Sequence, residues 1–386
     1  MKITHLCLAC FFPDGYSYQE NMLPKFHKLS GCDVGVIASL ETFDSNGKTT
    51  YYDHPKEYVN ENNVNVTRLA YKKPVQLSKK FRRYIGFKEV LEASKPDILF
   101  IHGCQFMDIR IVAKYCKKHP NTAVYVDHHA DFSNSATNWV SKNLLHKLLW
   151  RWCAKKIEPY AKKFYGVLPA RVEFLKQMYK LPAEKCELLV MGADDELVEA
   201  AAKPEVRSRI RERHGIAEDD FLVMTGGKID AFKTQTLLLM EAVKNIDDPR
   251  AKLIVFGSVT PELKEKVEAL ADGRKVQYIG WVQAKDSYEY FAAADLVVFP
   301  GRHSVFWEQV AAQGIPMLVK YWDGTTHVDL GGNVAFLKQD TAEEIQAAIE
   351  RLLTAPQQYA EMKRIAVEEG MKTFSYRGIA KRSIES

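Results

Sequence analysis

Thr225-Gly226-Gly227-Lys228-Ile229-Asp230-Ala231-Phe232-Lys233 decides how this chain reads. The apolar run 221–224 before it has the make-up of a buried strand, and 236–242 after it opens a helix. Glycines at a strand-to-helix turn let a phosphate approach the backbone, and a helix N-terminus offers unpaired N–H groups and the positive end of its dipole. Lys228 and Lys233 flank the turn as two point charges of the kind that suits phosphate. A diphosphate grip is therefore expected at Gly227, Lys228 and Lys233. The competing reading is a solvated turn that merely carries lysines, and Gly-Gly-Lys alone does not exclude it. Downstream, Trp307-Glu308-Gln309 opens another helix, where a carboxylate can accept hydrogen bonds from ribose hydroxyls. Its plainer role would be to complement the dipole of that helix. Taken together, the two features point to a nucleotide-sugar site.

The surrounding chain has 386 residues, which sets two domains as the expectation. It is 46% hydrophobic and 27% charged, the balance of a globular protein, and no apolar stretch approaches the roughly 20 residues that span a bilayer. The opening apolar run ends at Pro13-Asp14-Gly15 without a cleavage-like site, so a first buried strand is a better reading than a signal peptide. Seven cysteines without ordered spacing fit a reducing compartment, and a cytoplasmic location is expected. Charge is unevenly spread. Residues 1–190 carry 29 Lys and Arg against 18 Asp and Glu, whereas 191–386 carry 25 against 31. A basic first half implies an anionic partner: nucleic acid, phospholipid or a phosphorylated acceptor.

Strand-like and helix-like segments alternate through both halves, the pattern of parallel sheets covered by helices. Strands are expected at 3–9, 32–39, 64–69, 98–102 and 123–127, then at 221–224, 252–256, 276–278, 296–299 and 317–320. Residues 194–215 read as a charged linker leading into a helix. The fold class expected is α/β, two Rossmann-like domains in series facing across a cleft, with 1–193 as the first, 194–370 as the second and 371–386 as a helical tail that packs back on the first.

Three further constellations lie at strand ends or on helices. Phe299-Pro300-Gly301-Arg302-His303-Ser304 leads from a strand into the helix of Glu308, and Ser304 suits an N-cap or a phosphate contact. Asp127-His128-His129-Ala130-Asp131 sits where α/β sheets collect ligands. Without further ligands at definite spacing it reads as a sugar or phosphate contact, or as structural histidines, and no metal site is expected. The segments 72–88 and 142–163 are basic. In the second, Leu144, Leu145, Leu148, Leu149 and Trp152 recur at helical spacing beside Lys147, Arg151 and Lys155. Such a helix either lies on an anionic membrane or turns its stripe into the core. No nucleic-acid motif accompanies the charge, so nucleic acid is not expected as a partner.

These residues resemble the GT-B glycosyltransferases, in particular the family 4-like, group 1 type of bacterial surface polysaccharide assembly. The likeness is most specific over 220–335. Gly227-Lys228 to Lys233 is similar to that family's Gly-Arg-x-x-x-x-Lys segment, with lysine for arginine. Tyr278-Ile279-Gly280-Trp281-Val282 resembles its short strand, and Glu308 the second glutamate of its Glu-x7-Glu pair, where Pro300 stands in place of the first. The resemblance implies a UDP- or GDP-sugar donor and no other cofactor. Lys228 and Lys233 would hold its diphosphate, Glu308 its ribose and Val282 its base, with His303 and Ser304 standing in at the shortened loop. In the first domain it implies a donor contact at Gly15, whose Asp14-Gly15-Tyr16-Ser17 segment replaces a Gly-Gly loop, and a sugar contact at His128. It further implies retaining, metal-independent transfer to a glycan or polyprenyl-phosphate-linked acceptor in capsule or lipopolysaccharide synthesis, at the inner face of the cell membrane. An epimerase of the same architecture and a non-catalytic nucleotide-sugar-binding subunit are the alternatives.

Overall fold

The computed structural model describes residues 1–44 and 48–385. Ser45, Asn46, Gly47 and Ser386, which belong to the expected 1–193 and 371–386 spans, lie outside the described residues. The chain divides into two compact units, one formed by Met1–Val190 with Ile379–Ser386 and the other by Met191–Gly378.

The first unit is built on β1 (Lys2–Cys7), β2 (Asp33–Ser39), a small hairpin of β3 (Glu41–Phe43) and β4 (Thr49–Tyr51), β5 (Lys56–Val59), β6 (Asn65–Leu69), β7 (Ile98–His102), β8 (Ala123–His128), β9 (Ala161–Gly166) and β10 (Cys186–Leu188). Eight of these form one sheet in the order β10-β9-β8-β7-β1-β2-β6-β5. Only the edge strand β5 runs antiparallel, against β6. Parallel neighbours require long crossovers, and the helices Gln19–Leu29, Phe87–Ser94 and Ile109–Lys118 supply them. With helices on both faces a central strand has no wet side, which is why all of Ile98–His102 is buried although it ends in a histidine.

The second unit holds β11 (Phe221–Gly226), β12 (Ala251–Phe256), β13 (Val276–Tyr278), β14 (Leu296–Phe299), β15 (Met317–Lys320) and β16 (Val334–Leu337). Its order, β13-β12-β11-β14-β15-β16, is that of a Rossmann sheet. The order reverses between β11 and β14, and in the first unit between β1 and β7. Ligands bind at such reversals, because the two crossovers leave in opposite directions and open a crevice beyond the strand ends. Each unit has the Rossmann-like α/β architecture that its sequence implies.

Two expectations need correction. Residues 194–215 end in the expected helix, Pro204–Arg213, but what precedes it is not a linker: Asp195–Ala201 is a helix too, capped by the Asp194 carboxylate accepting from the Glu196 N–H at 3.2 Å. Arg207 and Arg211, two of the charges that made the segment look solvated, instead pair with Asp295 at 2.6 and 3.2 Å. The basic segment 142–163 is likewise not one helix. Ser141–Trp150 winds as a π-helix and continues as the α-helix Arg151–Ile157, after which Ala161 already begins β9. Lys163 there pairs with Glu187 at 2.9 Å.

Candidate functional site

The turn after β11 is shaped by three glycines. A Cβ on Gly226 would run into the Phe256 ring, and one on Gly257 into the Gly227 carbonyl. Gly227 has φ 128°, a conformation that side chains disfavour. Its N–H already donates to Phe256 O at 3.0 Å, so Gly227 offers a bare wall more than a donor. The pocket above it is lined by Gly226, Gly227, Lys228, Lys233 and Thr236 beyond β11 and by Gly301, Arg302 and Ser304 beyond β14. It therefore lies at the strand-order reversal. Lys228, exposed over 60% of its side chain, stands 3.4 Å from Asp230. Burial, with Lys228 and Arg302 nearby, pushes the Lys233 ammonium below the ordinary lysine range, and Asp230 opposes this. A lysine disfavoured by its own neighbours gains when an anion arrives. Arg302, whose guanidinium also lies over the Phe232 ring at 5.5 Å, is a third cation that sequence reading did not single out.

Glu308 is fully buried in the first turn of Phe306–Ala312. The Nε2–H groups of His303 and His327 both donate to its Oε1, at 2.9 and 2.8 Å. Burial alone would raise this carboxyl, but the two histidines hold it well below the usual carboxylate range. Its Oε2 is buried without a partner and is a bare acceptor. The three ligating atoms lie within 4.8 Å of one another, so this is also the set among the described residues that could hold a metal ion. His303 and Glu308 were expected here. His327 was not, since it comes from the loop after β15 and has no local signal. Val282 lies half-buried in the loop after β13, outside the residues that line the pocket.

The first unit has its own pocket at its reversal, of about 420 Å³, lined by Ala9 and Cys10 beyond β1, His102, Gly103 and Gln105 beyond β7, and His129 and Ala130 beyond β8, with Arg82, His146 and Trp150. Side chains alternate along a strand, so neighbouring histidines part. His129 lines the pocket, whereas His128 is fully buried, stacked on Phe174 at 5.7 Å and bonded through Nδ1 to the Gln105 amide at 3.3 Å. Burial, then His129 and His146, keep the His128 imidazole well below its ordinary range and hence neutral. Gly15 sits in an exposed turn outside this pocket, its N–H donating to Glu61 Oε1 at 2.8 Å.

Residues 219–355, which lie within the second unit, match the family described as glycosyl transferases group 1. Over 227 residues the chain is 23% identical to the mannosylfructose-phosphate synthase of Agrobacterium fabrum, a match over 55% of this chain and 49% of that one. The chain thus spans about half the length of the curated relative it matches. Among solved structures, Anabaena Alr3699/HepE in complex with UDP aligns over 99% of this chain and 98% of its own, with TM-score 0.67 and 18% identity. WaaG, a glycosyltransferase involved in lipopolysaccharide biosynthesis, aligns over 98% of each chain with TM-score 0.66 and 14% identity. At these identities the likeness is one of fold.

Proposed function

We propose that this chain transfers a sugar from a nucleoside-diphosphate sugar, with UDP or GDP as its nucleotide, to a glycan or lipid-linked acceptor, with retention of configuration and without a metal ion. The observation that carries this reading is the convergence of Lys228, Lys233 and Arg302 on a side-chain-free turn at the strand-order reversal. Transfer breaks the bond from the anomeric carbon to the diphosphate oxygen and forms one to the acceptor oxygen, whose hydroxyl proton passes to the departing diphosphate. Negative charge grows on the departing diphosphate, and fixed cations stabilise it without reorganising. Glu308, ionised and with Oε2 bare, accepts from a ribose hydroxyl. The solved structure of HepE with UDP supports a nucleotide at such a fold, and the role of WaaG supports surface polysaccharide synthesis as the setting.

A panel of UDP, GDP, ADP, CMP and their sugars tests the donor site by thermal shift, because a ligand that binds only the folded chain raises its melting temperature. A shift with UDP or GDP that persists in EDTA is expected, followed by release of that nucleotide when acceptor is supplied. The absence of any nucleotide shift would remove the reading.

We further propose that the first unit works at an anionic membrane surface. No described helix is long and apolar enough to cross a membrane. On 139–157 the apolar stripe divides: Leu145 and Leu149 pack on the core, but Trp139 is 68% exposed, Leu148 60% and Leu144 46%. Lys142, Lys147, Lys155 and Lys156 lie among these exposed side chains. Exposed tryptophan and leucine amid lysines suit the headgroup boundary. Trp139→Ser with Leu148→Ser is expected to lower binding to phosphatidylglycerol vesicles at least about tenfold, each buried apolar side chain contributing roughly 1.5–3 kcal/mol. Equal co-sedimentation of variant and parent would count against it.

A further inference from the structure

Of the eleven histidines, three lie end to end inside the first unit, each fully or almost fully buried. His27 Nδ1 stands 3.1 Å from His5 Nε2, and His5 Nδ1 stands 3.0 Å from His102 Nε2. Beyond His102, its Nδ1 meets Asp127 Oδ2 at 2.8 Å. At the other end, His27 Nε2 meets Ala380 O at 2.9 Å and Ser383 Oγ at 3.2 Å. The Ser383 hydroxyl donates to the same Ala380 carbonyl, so towards His27 it is an acceptor as well.

Counting protons along this line fixes its charge. Both ends are acceptors, a carbonyl and a carboxylate, so the terminal nitrogens of His27 and His102 must each carry a proton. Each of the two inner N···N contacts needs one more. Four protons are required, whereas three neutral imidazoles carry three. A neutral line would set a ring lone pair against a carbonyl, a carboxylate or another ring, an unmade hydrogen bond among side chains with almost no exposed surface.

We propose that His27, His5 and His102 form a wire holding one excess proton, trapped between the Ala380 carbonyl and the Asp127 carboxylate. The charge resides on His102, which lines the first unit's pocket, and it keeps Asp127 ionised beneath the pocket-facing His129. Residence on His102 follows from its neighbours. Asp127 is in contact and Cys7 and Glu20 are near, whereas His5 and His27 face other imidazoles and Phe100. Burial alone would lower His102, but Asp127, then Cys7, raise it to about 9. Burial, then His27 and His102, hold His5 well below its ordinary range, and burial brings His27 down to about 4 despite the Ala380 carbonyl. Asp127 Oδ2 also lies 3.4 Å from the Gln19 amide and 3.6 Å from His129 Nε2, which is itself 3.8 Å from Glu20. His5 and His27 are thus positioning residues. They act on the pocket through His102 and touch nothing in it, and this holds whichever ligand the pocket takes.

The test is nitrogen NMR of the full chain labelled at histidine with ¹⁵N, assigned by single substitutions. At pH 7.5, chosen to lie between the His27 and His102 values, His102 is expected with both ring nitrogens protonated, and His5 and His27 as neutral rings with the proton on Nε2. His102 neutral at that pH, or His5 carrying its proton on Nδ1, would overturn the wire. His27→Phe supplies the second arm. It removes the acceptor-terminated end, so two neutral rings then satisfy every contact, and His102 should lose its proton at about tenfold or more higher proton concentration than in the parent. An unchanged His102 titration in a folded His27→Phe chain would equally refute the proposal. If that variant does not fold, the parent spectrum alone decides.

Discussion

Lys228→Ala combined with Lys233→Ala is expected to lower turnover about 10³-fold or more while leaving the melting temperature within a few degrees of the parent. Removing a single preorganised donor to developing charge costs about 10²–10³ in rate, and here two cations are lost from one pocket. The stability side differs because neither ammonium holds the fold. Lys228 is largely exposed and pairs with Asp230, and Lys233 is disfavoured where it sits. A surface substitution such as that at Lys228 stays within about ±0.5 kcal/mol. Single-turnover kinetics at saturating donor, with a thermal melt of the same samples, check both halves. Arg302, the cation that remains, sets the residual rate, so the triple variant with Arg302→Ala should fall further. Parental rates in the double variant would mean that the glycine turn is not the diphosphate site.

Glu308→Gln should show the reverse pattern, losing stability together with nucleotide affinity. The carboxylate is fully buried and takes two imidazole N–H bonds on one oxygen. Hydrogen bonds to a charged group contribute about 1.5–3 kcal/mol each, so weakening both by neutralisation is expected to cost about 2–4 kcal/mol and to lower the melting point by roughly 5–15 °C. The pH dependence has a definite sign. Because the folded carboxyl lies below its unfolded value, its contribution is complete above about pH 4.3, the ordinary glutamate pKa, and is lost as pH falls towards the folded value. Parent and variant should therefore differ most at neutral pH and converge in acid. Melting curves of both from pH 7 to pH 3 test this, and a gap that does not narrow would show that the charge of Glu308 is not what His303 and His327 stabilise.

The site was legible in the sequence where its parts are local. Gly227, Lys228 and Lys233 fall within one strand–turn–helix passage, and composition and order suffice to read it. Glu308 could be named from its place on the next helix, but not its two histidines: His303 lies five residues away, whereas His327 arrives from a separate loop. Arg302 stood in plain view beside Gly301, yet a cation in a loop has no direction until the loop is folded. At the end of β8, parity separates His128 from His129, but only the packed sheet tells which of the two faces the pocket. Strands at 98–102, 276–278, 296–299 and 317–320 were legible to the residue, because continuous apolar runs bounded by turns mark buried parallel strands. The start of β9 was hidden by the lysines at 162 and 163, which read as the end of a basic helix, and the helix Asp195–Ala201 by charges that read as a linker.

The first unit is closed by residues that the second unit precedes in the chain. Tyr125 Oη donates to Ile384 O at 3.0 Å, and His27 Nε2 donates towards Ala380 O and Ser383 Oγ, after the chain has passed through all of Met191–Gly378. During synthesis the second unit can therefore complete its fold while the first, although made earlier, still lacks one of its own pieces. A nascent chain halted anywhere before residue 379 lacks the segment that supplies the Ala380 and Ile384 carbonyls to the first unit.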